Sequence, residues 1–495
     1  MGASTVFSDV AMVTIARAGA AVLSLVTVVL ATRILVPEEY ANVAFATVAA
    51  TLLLAASSWT GPAVPRYGRE QLEAGGDMVA VTWGRVAITA PLLFGAALLL
   101  VSLKLLGALP PEFTWTYVWL ALGLGGALIA SEHVVLLLEA GGRMKASGLA
   151  LVVRQGLTVA GLVAIVATGI GESPAFVIGL NGVAYGVVAG LFAALVWRVG
   201  IWPPALDRAL LRRILSLSTP LLAFSVSQYG IAVVDIVAIR AFETPADVGV
   251  YAIAYQGYVV LQQIAAAAGP VLTPLFVSLR AGGKELVIRR YLERVVPQLI
   301  LLASVAAGVA IPFIPPLVAT VFGVEFEGAA TPLTVLVVAV VMFFTATLFG
   351  PILTLHEETR LVALINALAL TVNVVADILL IGVVGMGITG AAVATSLAIA
   401  VVAVGYFRVA RNRTESVARV KPVLLAPLFA GLAASLLLSG AASIVCGVAA
   451  TAISATYVVV RERPFQPADA VLVEQLDIPA PVKRLALKAI SLAAR

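Results

Sequence analysis

Long apolar runs separated by short polar segments make up almost the whole chain. The first two runs flank an elbow, Leu35-Val36-Pro37-Glu38-Glu39-Tyr40, and the second run closes on Arg66 and Arg69. At a rise of about 1.5 Å per residue, each run can cross a hydrocarbon core of about 30 Å as a helix. The pattern therefore predicts membrane-spanning helices from the start of the chain.

Continuing this count predicts an all-α polytopic membrane protein with about 14 transmembrane helices. The predicted spans are 10–35, 41–64, 78–106, 117–139, 147–170, 175–199, 218–242, 247–270, 292–320, 331–355, 361–384, 388–409, 421–439 and 441–460. The sequence PAPVKRLALKAISLAAR at the C-terminus has the amphipathic pattern of a helix on the membrane surface. We therefore predict a six-helix lobe over 1–200, an amphipathic linker helix over 201–217, a second six-helix lobe over 218–410, helices 13 and 14 over 411–460, and a tail over 461–495.

The polar elbow returns in the second half of the chain. Arg33 and Pro37-Glu38-Glu39 correspond to Arg240 and Pro245-Ala246-Asp247, each between a polar-striped run and a second apolar run. A parallel repeat of this size predicts two pseudo-symmetric helix bundles with a shared space between them.

Composition excludes a soluble globular protein. Hydrophobic residues make up 61% of the 495 residues and charged residues 12%, whereas soluble domains have about 25% charged residues. The net charge of +5 therefore reports topology and not nucleic-acid binding. The single cysteine, Cys446, excludes a disulfide framework within the chain. The N-terminus, MGASTVFSDV, lacks the basic region and cleavage site of a secretory signal, so the first run is expected to remain as a helix.

The distribution of basic residues predicts the orientation. With a cytoplasmic N-terminus, all of the 31 Lys and Arg residues except Arg33, Lys104 and Arg240 lie in inner loops, near inner helix ends or in the tail. This asymmetry is the one that the positive-inside rule describes. We expect a multi-pass protein of the cell membrane with both termini cytoplasmic.

Several kinds of chemistry are missing from the sequence. It has no GxxxxGK[ST] motif for nucleotide hydrolysis, and its two histidines, His133 and His356, have no second ligand at metal-binding spacing. Glu38-Glu39 and Glu357-Glu358 are adjacent pairs at helix ends, which is typical of solvated or capping residues. We therefore expect neither a metal nor a cofactor, and no enzymatic activity.

Polar residues inside the spans are the remaining candidates for function. They share single helix faces, with Arg17, Ser24 and Thr27 in span one; Glu132 and Glu139 in span four; Ser225, Gln228 and Asp235 in span seven; Tyr251, Tyr255, Tyr258 and Gln262 in span eight; and Asn366, Asn373 and Asp377 in span eleven. Arg240 lies near the outer end of span seven. The structural interpretation is that they pair across helices and fasten the bundle. The functional interpretation is that they line a hydrated cavity, because a charge deep in a span is otherwise costly.

Two stretches carry a resemblance to a known family. RAGAAVLSLVTVVLATRILVPEEYANVAFA with the following RYGRE, and NALALTVNVVADILLIGVVGMGITGAAVATSLA at spans eleven and twelve, resemble the polysaccharide-biosynthesis or lipid-linked-oligosaccharide flippases of the multidrug/oligosaccharidyl-lipid/polysaccharide (MOP) exporter superfamily. The resemblance implies two six-helix lobes in a V shape, alternating access, and a cationic cavity walled by spans one, two, seven and eight. It implies as cargo a polyprenyl- or dolichyl-(di)phosphate-linked glycan, moved from the cytoplasmic to the outer leaflet, and glycan assembly enzymes as partners.

The site residues follow from the polar stripes and from this resemblance. An arginine fork suits a diphosphate, and hydroxyl and amide groups suit a glycan. The expected substrate-binding residues are Arg17, Ser24, Arg33, Gln228, Arg240, Tyr255 and Tyr258. Asp235 and Asp377 are the expected ion-coupling residues, for H⁺ or Na⁺. Spans two and eight carry no charge at their centres, so the cavity is less positive than a diphosphate cargo would lead one to expect.

Two other functions remain open. A drug/cation antiporter of the same superfamily would share the lobes but ordinarily has twelve helices, so spans thirteen and fourteen argue against it. A membrane polysaccharide polymerase or ligase would ordinarily need a large external loop with catalytic residues, and every predicted outer loop here is short.

Overall fold

In the computed structural model every regular element of the described residues, 3–266, 269–414, 420–465 and 484, is helical. Side chains are described from residue 16 onward, apart from 220, 270, 271, 274 and 275. The first half contains α1 (Ala3–Ala31), α2 (Pro37–Ser58), α3 (Ala63–Glu73), α4 (Val79–Leu105), α5 (Trp115–Ala140), α6 (Met144–Thr168) and α7 (Pro174–Val196). The second half contains α8 (Arg208–Phe242), α9 (Pro245–Ala266), α10 (Gly269–Ala281), α11 (Glu285–Arg290), α12 (Val296–Ala310), α13 (Ile314–Phe322), α14 (Ala330–Leu355), α15 (Thr359–Asp377), α16 (Gly387–Thr414), α17 (Ala426–Leu437) and α18 (Gly440–Glu462).

The prediction of a membrane protein is confirmed. Eleven helical segments of the described residues are long and apolar enough to cross a membrane, and two shorter apolar helices cover Ala16–Ala31 and Pro422–Leu437. Helices dominate because lipid offers no partners for backbone N–H and C=O groups, so each segment must satisfy its own. The number of fourteen spans and their division into two lobes and a helix pair stay a prediction.

The predicted amphipathic linker helix is continuous with span seven over residues 208–217, and both belong to α8. The side chain of Asp207 caps its start by accepting hydrogen bonds from the backbone N–H groups of Ala209 and Leu210. Leu210 and Ile214 are buried in an apolar cluster with residues of α4 and α5, so the linker packs into the protein core. The predicted helix at the C-terminus lies outside the described residues.

Both predicted elbows begin a helix at proline. Pro37 starts α2 and Pro245 starts α9, a position that suits proline because the first helical N–H has no partner in the helix. The two elbows lie against each other, since a Cβ atom added to Gly249 would stand 1.9 Å from the carbonyl oxygen of Pro37. We call this side of the bundle the elbow end, and the opposite side, where α8 begins at Arg208, the linker end.

Cysteine labelling tests the predicted orientation, in which the elbow end is outside. Cysteines at Glu172 or Met386, in loops at the elbow end, are expected to react with an impermeant maleimide in intact cells. A cysteine at Lys284, at the linker end, is expected not to react. The variants carry Cys446→Ser so that the exposed native thiol does not contribute. Equal labelling at all three positions would contradict this topology.

Candidate functional site

A cavity of about 670 Å³ lies among α2, α8 and α9, near the middle of the membrane-spanning helices. It begins at Tyr40 near the elbow end and reaches Trp59 and Pro62 toward the linker end. α5 contributes Glu132 and α16 contributes Ile399. Spans two, seven and eight thus wall the cavity as the family resemblance implied, whereas α1 adds no side chain to the described lining.

The polar part of the lining consists mainly of hydroxyl and amide groups. These are Tyr40, Thr47, Thr51, Ser58, Ser225, Gln228, Tyr229, Tyr255, Gln256, Tyr258 and Gln262. Three predicted substrate-binding residues, Gln228, Tyr255 and Tyr258, therefore meet in one cavity. The rings of Tyr255 and Tyr258 have centroids 5.3 Å apart, and the amide of Gln262 donates a hydrogen bond of 3.0 Å to the Tyr258 hydroxyl.

A buried arginine stands directly behind the cavity wall. Arg85 of α4 is 3% exposed and donates to Glu132 Oε2 at 2.8 Å, to Thr60 Oγ1 at 3.0 Å and to Ser57 Oγ at 3.1 Å. A guanidinium this deep needs several acceptors at once, because an unpaired buried charge is costly. Glu132 is 30% exposed and is the only charged residue in the described cavity lining.

His133 completes this network. Its Nδ1 lies 2.9 Å from Arg85 Nη1, and its Nε2 lies 3.3 Å from Thr82 Oγ1. Because a guanidinium only donates, Nδ1 must accept, which leaves the ring neutral with its proton on Nε2. The sequence analysis missed this cluster by counting Arg85 among the basic residues near inner helix ends. The adjacent Glu-His pair inside an apolar span was the available signal, because such a pair requires a buried partner.

Two of the arginines predicted to bind the cargo, Arg33 and Arg240, form hydrogen bonds with protein groups at the elbow end. Arg33 Nη2 donates to the carbonyl oxygens of Thr320 and Val321 at 3.2 and 3.1 Å, near the C-terminal end of α13, where the helix dipole favours a cation. Arg240 Nη2 lies 2.6 Å from Glu112 Oε1. Arg240 also lines a second, largely apolar cavity of about 450 Å³ among α2, α4 and α8. These bonds join elements of the first and second halves of the chain.

The two predicted substrate-binding residues of span one, Arg17 and Ser24, lie outside the described cavity lining. Arg17 has a 56% exposed side chain and an ion pair of 3.5 Å with Glu139 Oε1. Glu139 Oε1 also accepts a hydrogen bond of 3.1 Å from Ser147. Ser24 is half-buried on α1. The lining therefore contains Gln228, Tyr255 and Tyr258 but none of the predicted arginines.

The two predicted ion-coupling acids meet in a second, fully buried site. Asp235 of α8 accepts hydrogen bonds from Asn373 Nδ2 at 3.0 Å and Thr395 Oγ1 at 2.6 Å, and from the hydroxyl of Tyr251. Asp377 faces the Asp235 carboxylate from α15. Both Asp377 oxygens and Asn373 Oδ1 are buried and receive no hydrogen bond.

This acidic site has the chemistry of a cation site. Two carboxylates in contact repel each other when both are ionised. They are stable together when they share a proton or hold a cation between them. In the described residues neither acid has an ion pair with a basic side chain, so the structure offers no internal counter-ion. Oxygen atoms from carboxylate, amide and hydroxyl groups are the ligands that hard cations prefer.

At the linker end an ion pair ties α8 to α3. Arg213 Nη2 donates to both carboxylate oxygens of Glu70, at 2.8 and 2.7 Å, and the guanidinium lies 4.7 Å from the centre of the Tyr67 ring. The hydrogen bond to Glu70 raises the pKa of Arg213 above its usual value. Arg213 therefore stays charged at every physiological pH, and its pair with Glu70 joins the start of α8 to the first half of the chain.

The fold is shared with solved membrane transporters. The lipid II flippase MurJ, in its inward closed conformation, superposes with a TM-score of 0.68 at 11% identity, covering 91% of this chain and 99% of that chain. An inward-facing multidrug resistance MATE family transporter of the MOP superfamily superposes with a TM-score of 0.56 at 17% identity, covering 80% and 94%. The eukaryotic MATE transporter AtDTX14 gives a TM-score of 0.58 at 15% identity, covering 82% and 98%. At these identities the likeness shows the fold alone.

The fold defines a multi-pass membrane protein, and it is a fold that transporters of the MOP superfamily share. The sequence profile of the polysaccharide biosynthesis proteins matches residues 6–280, more than half of the chain. The chain belongs to this family. No curated protein sequence matches it significantly.

Proposed function

We propose that the protein is a flippase that moves a polyprenyl- or dolichyl-(di)phosphate-linked oligosaccharide or polysaccharide precursor from the cytoplasmic to the outer leaflet. The observation that carries this proposal is the cavity lined by tyrosine, glutamine and hydroxyl side chains between α2, α8 and α9. A hydrated glycan cannot cross hydrocarbon unaided, and such a lining replaces the hydrogen bonds that the glycan makes with water. The shared fold of the lipid II flippase MurJ supports this choice of cargo.

Movement would follow alternating access. At the elbow end the carbonyl contacts of Arg33 and the Arg240–Glu112 pair hold the two halves together. A partly exposed ion pair of this kind contributes only about 1 kcal/mol or less to the stability of the closed elbow end, so it can break and re-form within a transport cycle. Opening there would release the cargo on the outer side.

The buried acids would supply the energy coupling. Asp235 and Asp377, with Asn373 and Thr395, would bind a proton or Na⁺ in one state of the cycle and release it in another. The hydrogen bonds of Asp235 join α8 to α9, α15 and α16, so binding at this site would change the contacts among these helices. Because α8 and α9 also line the cavity, occupancy of the acidic site would bias its conformation.

Flipping in reconstituted vesicles tests the function. The purified protein is placed in liposomes with a fluorescent polyprenyl-diphosphate oligosaccharide, and an impermeant reductant bleaches the outer leaflet. Protein-containing vesicles are expected to lose almost all fluorescence, because flipping brings inner-leaflet lipid to the reductant. Bleaching that stops near one half, as in protein-free vesicles, would contradict the proposal.

A cation antiporter is the second candidate, and one observation favours it. Glu132 is the only charged residue in the described cavity lining, and a carboxylate facing a cavity attracts cationic ligands. Efflux of ethidium from the same vesicles, driven by a proton or Na⁺ gradient, distinguishes the two functions.

A further inference from the structure

We propose that the cavity selects neutral glycans over acidic ones, with Glu132 as the acceptor for sugar hydroxyl groups. This inference rests on the proposed flippase function and names the class of glycan that the same cavity takes. It runs against the expectation of a cationic cavity.

The charge balance of the cavity is the first argument. Arg85 is the basic residue nearest to Glu132, and it is 3% exposed behind the wall. Its guanidinium already donates to Glu132, Thr60, Ser57 and the ring of His133. A guanidinium held by four groups cannot turn to meet an anionic ligand without leaving buried acceptors unpaired.

The orientation of Glu132 is the second argument. Arg85 holds Oε2, and among the described residues Oε1 receives no hydrogen bond although the side chain is 30% exposed. Tyr229 and Ser58 line the same cavity as this carboxylate. A fixed carboxylate with one free oxygen accepts hydrogen bonds from the hydroxyl groups of a sugar.

The opposite wall suits an uncharged sugar. Tyr255 presents its ring and hydroxyl group beside the buried Tyr258, and Gln228, Gln256 and Gln262 supply amides that both donate and accept. Aromatic rings have an apolar face and a polar tip, which matches the mixed surface of a sugar ring. The described lining supplies many neutral partners for a polyol and no unpaired cation for an acid.

An acidic sugar would meet repulsion in this cavity. A second carboxylate near Glu132 places like charges in a medium of low dielectric, where repulsion is stronger than in water. In the state that takes up cargo at the linker end, the diphosphate of the carrier would lie at the membrane interface. Arg66 is exposed on α3 one helical turn after Pro62 of the lining, so it is placed on the linker-end side of the cavity for that anion.

Flipping of two matched cargoes tests the inference. The fluorescent polyprenyl diphosphates carry either a neutral disaccharide or the same disaccharide with one hexose oxidised to a uronic acid. The wild-type protein is expected to flip the neutral cargo at least about tenfold faster, because a site built for hydroxyl groups rejects a ligand that leaves its groups unpaired or repelled. In Glu132→Gln the neutral rate is expected to fall, and the ratio of the two rates is expected to approach one.

The controls separate this inference from the proposed function. Glu73→Gln removes an exposed carboxylate outside the cavity and is expected to keep the wild-type ratio. Equal rates for both cargoes in the wild type would overturn the selectivity and leave the flippase function standing, whereas flipping of neither cargo would overturn the proposed function. An unchanged ratio in folded Glu132→Gln would remove Glu132 from the site. If the glutamine variant does not fold, Glu132→Asp keeps the charge but withdraws the carboxylate, so a lower rate for the neutral cargo is expected and an unchanged rate would remove Glu132 from the site.

Discussion

Asparagine in place of Asp377 is expected to uncouple transport from the ion gradient while leaving the fold intact. Both Asp377 oxygens are buried and receive no hydrogen bond, so the substitution breaks no described hydrogen bond and replaces the carboxyl group that faces Asp235 by a neutral amide of nearly the same shape. A purely structural role therefore predicts an unchanged or higher melting temperature and normal transport. A coupling role predicts that stimulation by Na⁺ or by a proton gradient falls by on the order of 100-fold, the scale seen when a cation site is disturbed.

Vesicle flipping with and without an imposed Na⁺ or pH gradient measures this effect. Asp247→Asn is the matched control, because Asp247 caps the start of α9 through Thr244 and lies outside the acidic site. Gradient stimulation of folded Asp377→Asn equal to that of the wild type would remove Asp377 from ion coupling. Asp235→Asn is expected to lose coupling as well, with lower stability, because it disturbs the hydrogen bonds from Asn373, Thr395 and Tyr251.

Any side chain at Gly249 is expected to force the elbow end apart. A Cβ atom there would stand 1.9 Å from the carbonyl oxygen and 2.7 Å from the carbonyl carbon of Pro37. Backbone atoms cannot rotate away as a flexible side chain can, so α9 must shift relative to α2. Gly249→Ala is expected to destabilise the protein by about 1–3 kcal/mol, the usual cost of overpacking, and Gly249→Val by more.

Thermal unfolding and cysteine accessibility measure the two consequences. A Thr47→Cys probe in the cavity, with Cys446 removed, is expected to react faster with an impermeant maleimide from the elbow side when Gly249→Val is present. Gly190→Ala on α7 is the matched control, because an added Cβ atom there meets nothing within 4 Å. Equal melting temperatures for Gly249→Ala and Gly190→Ala would show that the elbows are not in firm contact.

The elbows show which features a local sequence pattern can predict. Pro37 and Pro245 were predicted to lie in polar elbows just before the second apolar runs, and each begins a helix in the structure. Proline at the first helical position is a local preference, so a short window of sequence contains the necessary information. That Gly249 faces Pro37 depends on how two distant helices approach, and the aligned repeat gave no sign of it.

The residues of the acidic site could be predicted only in part. Asp235 and Asp377 were selected because ionisable residues inside membrane spans are costly and often functional. The stripe of Asn373 and Asp377 on one helix also followed from spacing. The contributions of Tyr251 and Thr395 did not, because they depend on the rotation of four helices about their axes.

The arginines illustrate where charge alone misleads. Arg33 and Arg240 were chosen for a diphosphate, yet in the structure they contact carbonyl groups and Glu112 at the elbow end. Arg85 was counted with the topology signals, yet it is buried and holds Glu132 at the cavity wall. A positive charge near a helix end has the same local pattern in both situations, and only the neighbouring helix distinguishes them.

The sequence alone determined the membrane environment, the helical class, the two proline elbows and the family of this protein. These depend on hydropathy summed over about 20 residues and on local backbone preferences, both of which are properties of a short segment. Only the tertiary structure decided which polar side chains share a site, which arginines are already paired, and that Glu132 is the one charged residue in the described cavity lining. Those contacts join residues far apart in the chain, and they depend on helix rotation and close packing that no local window of sequence contains.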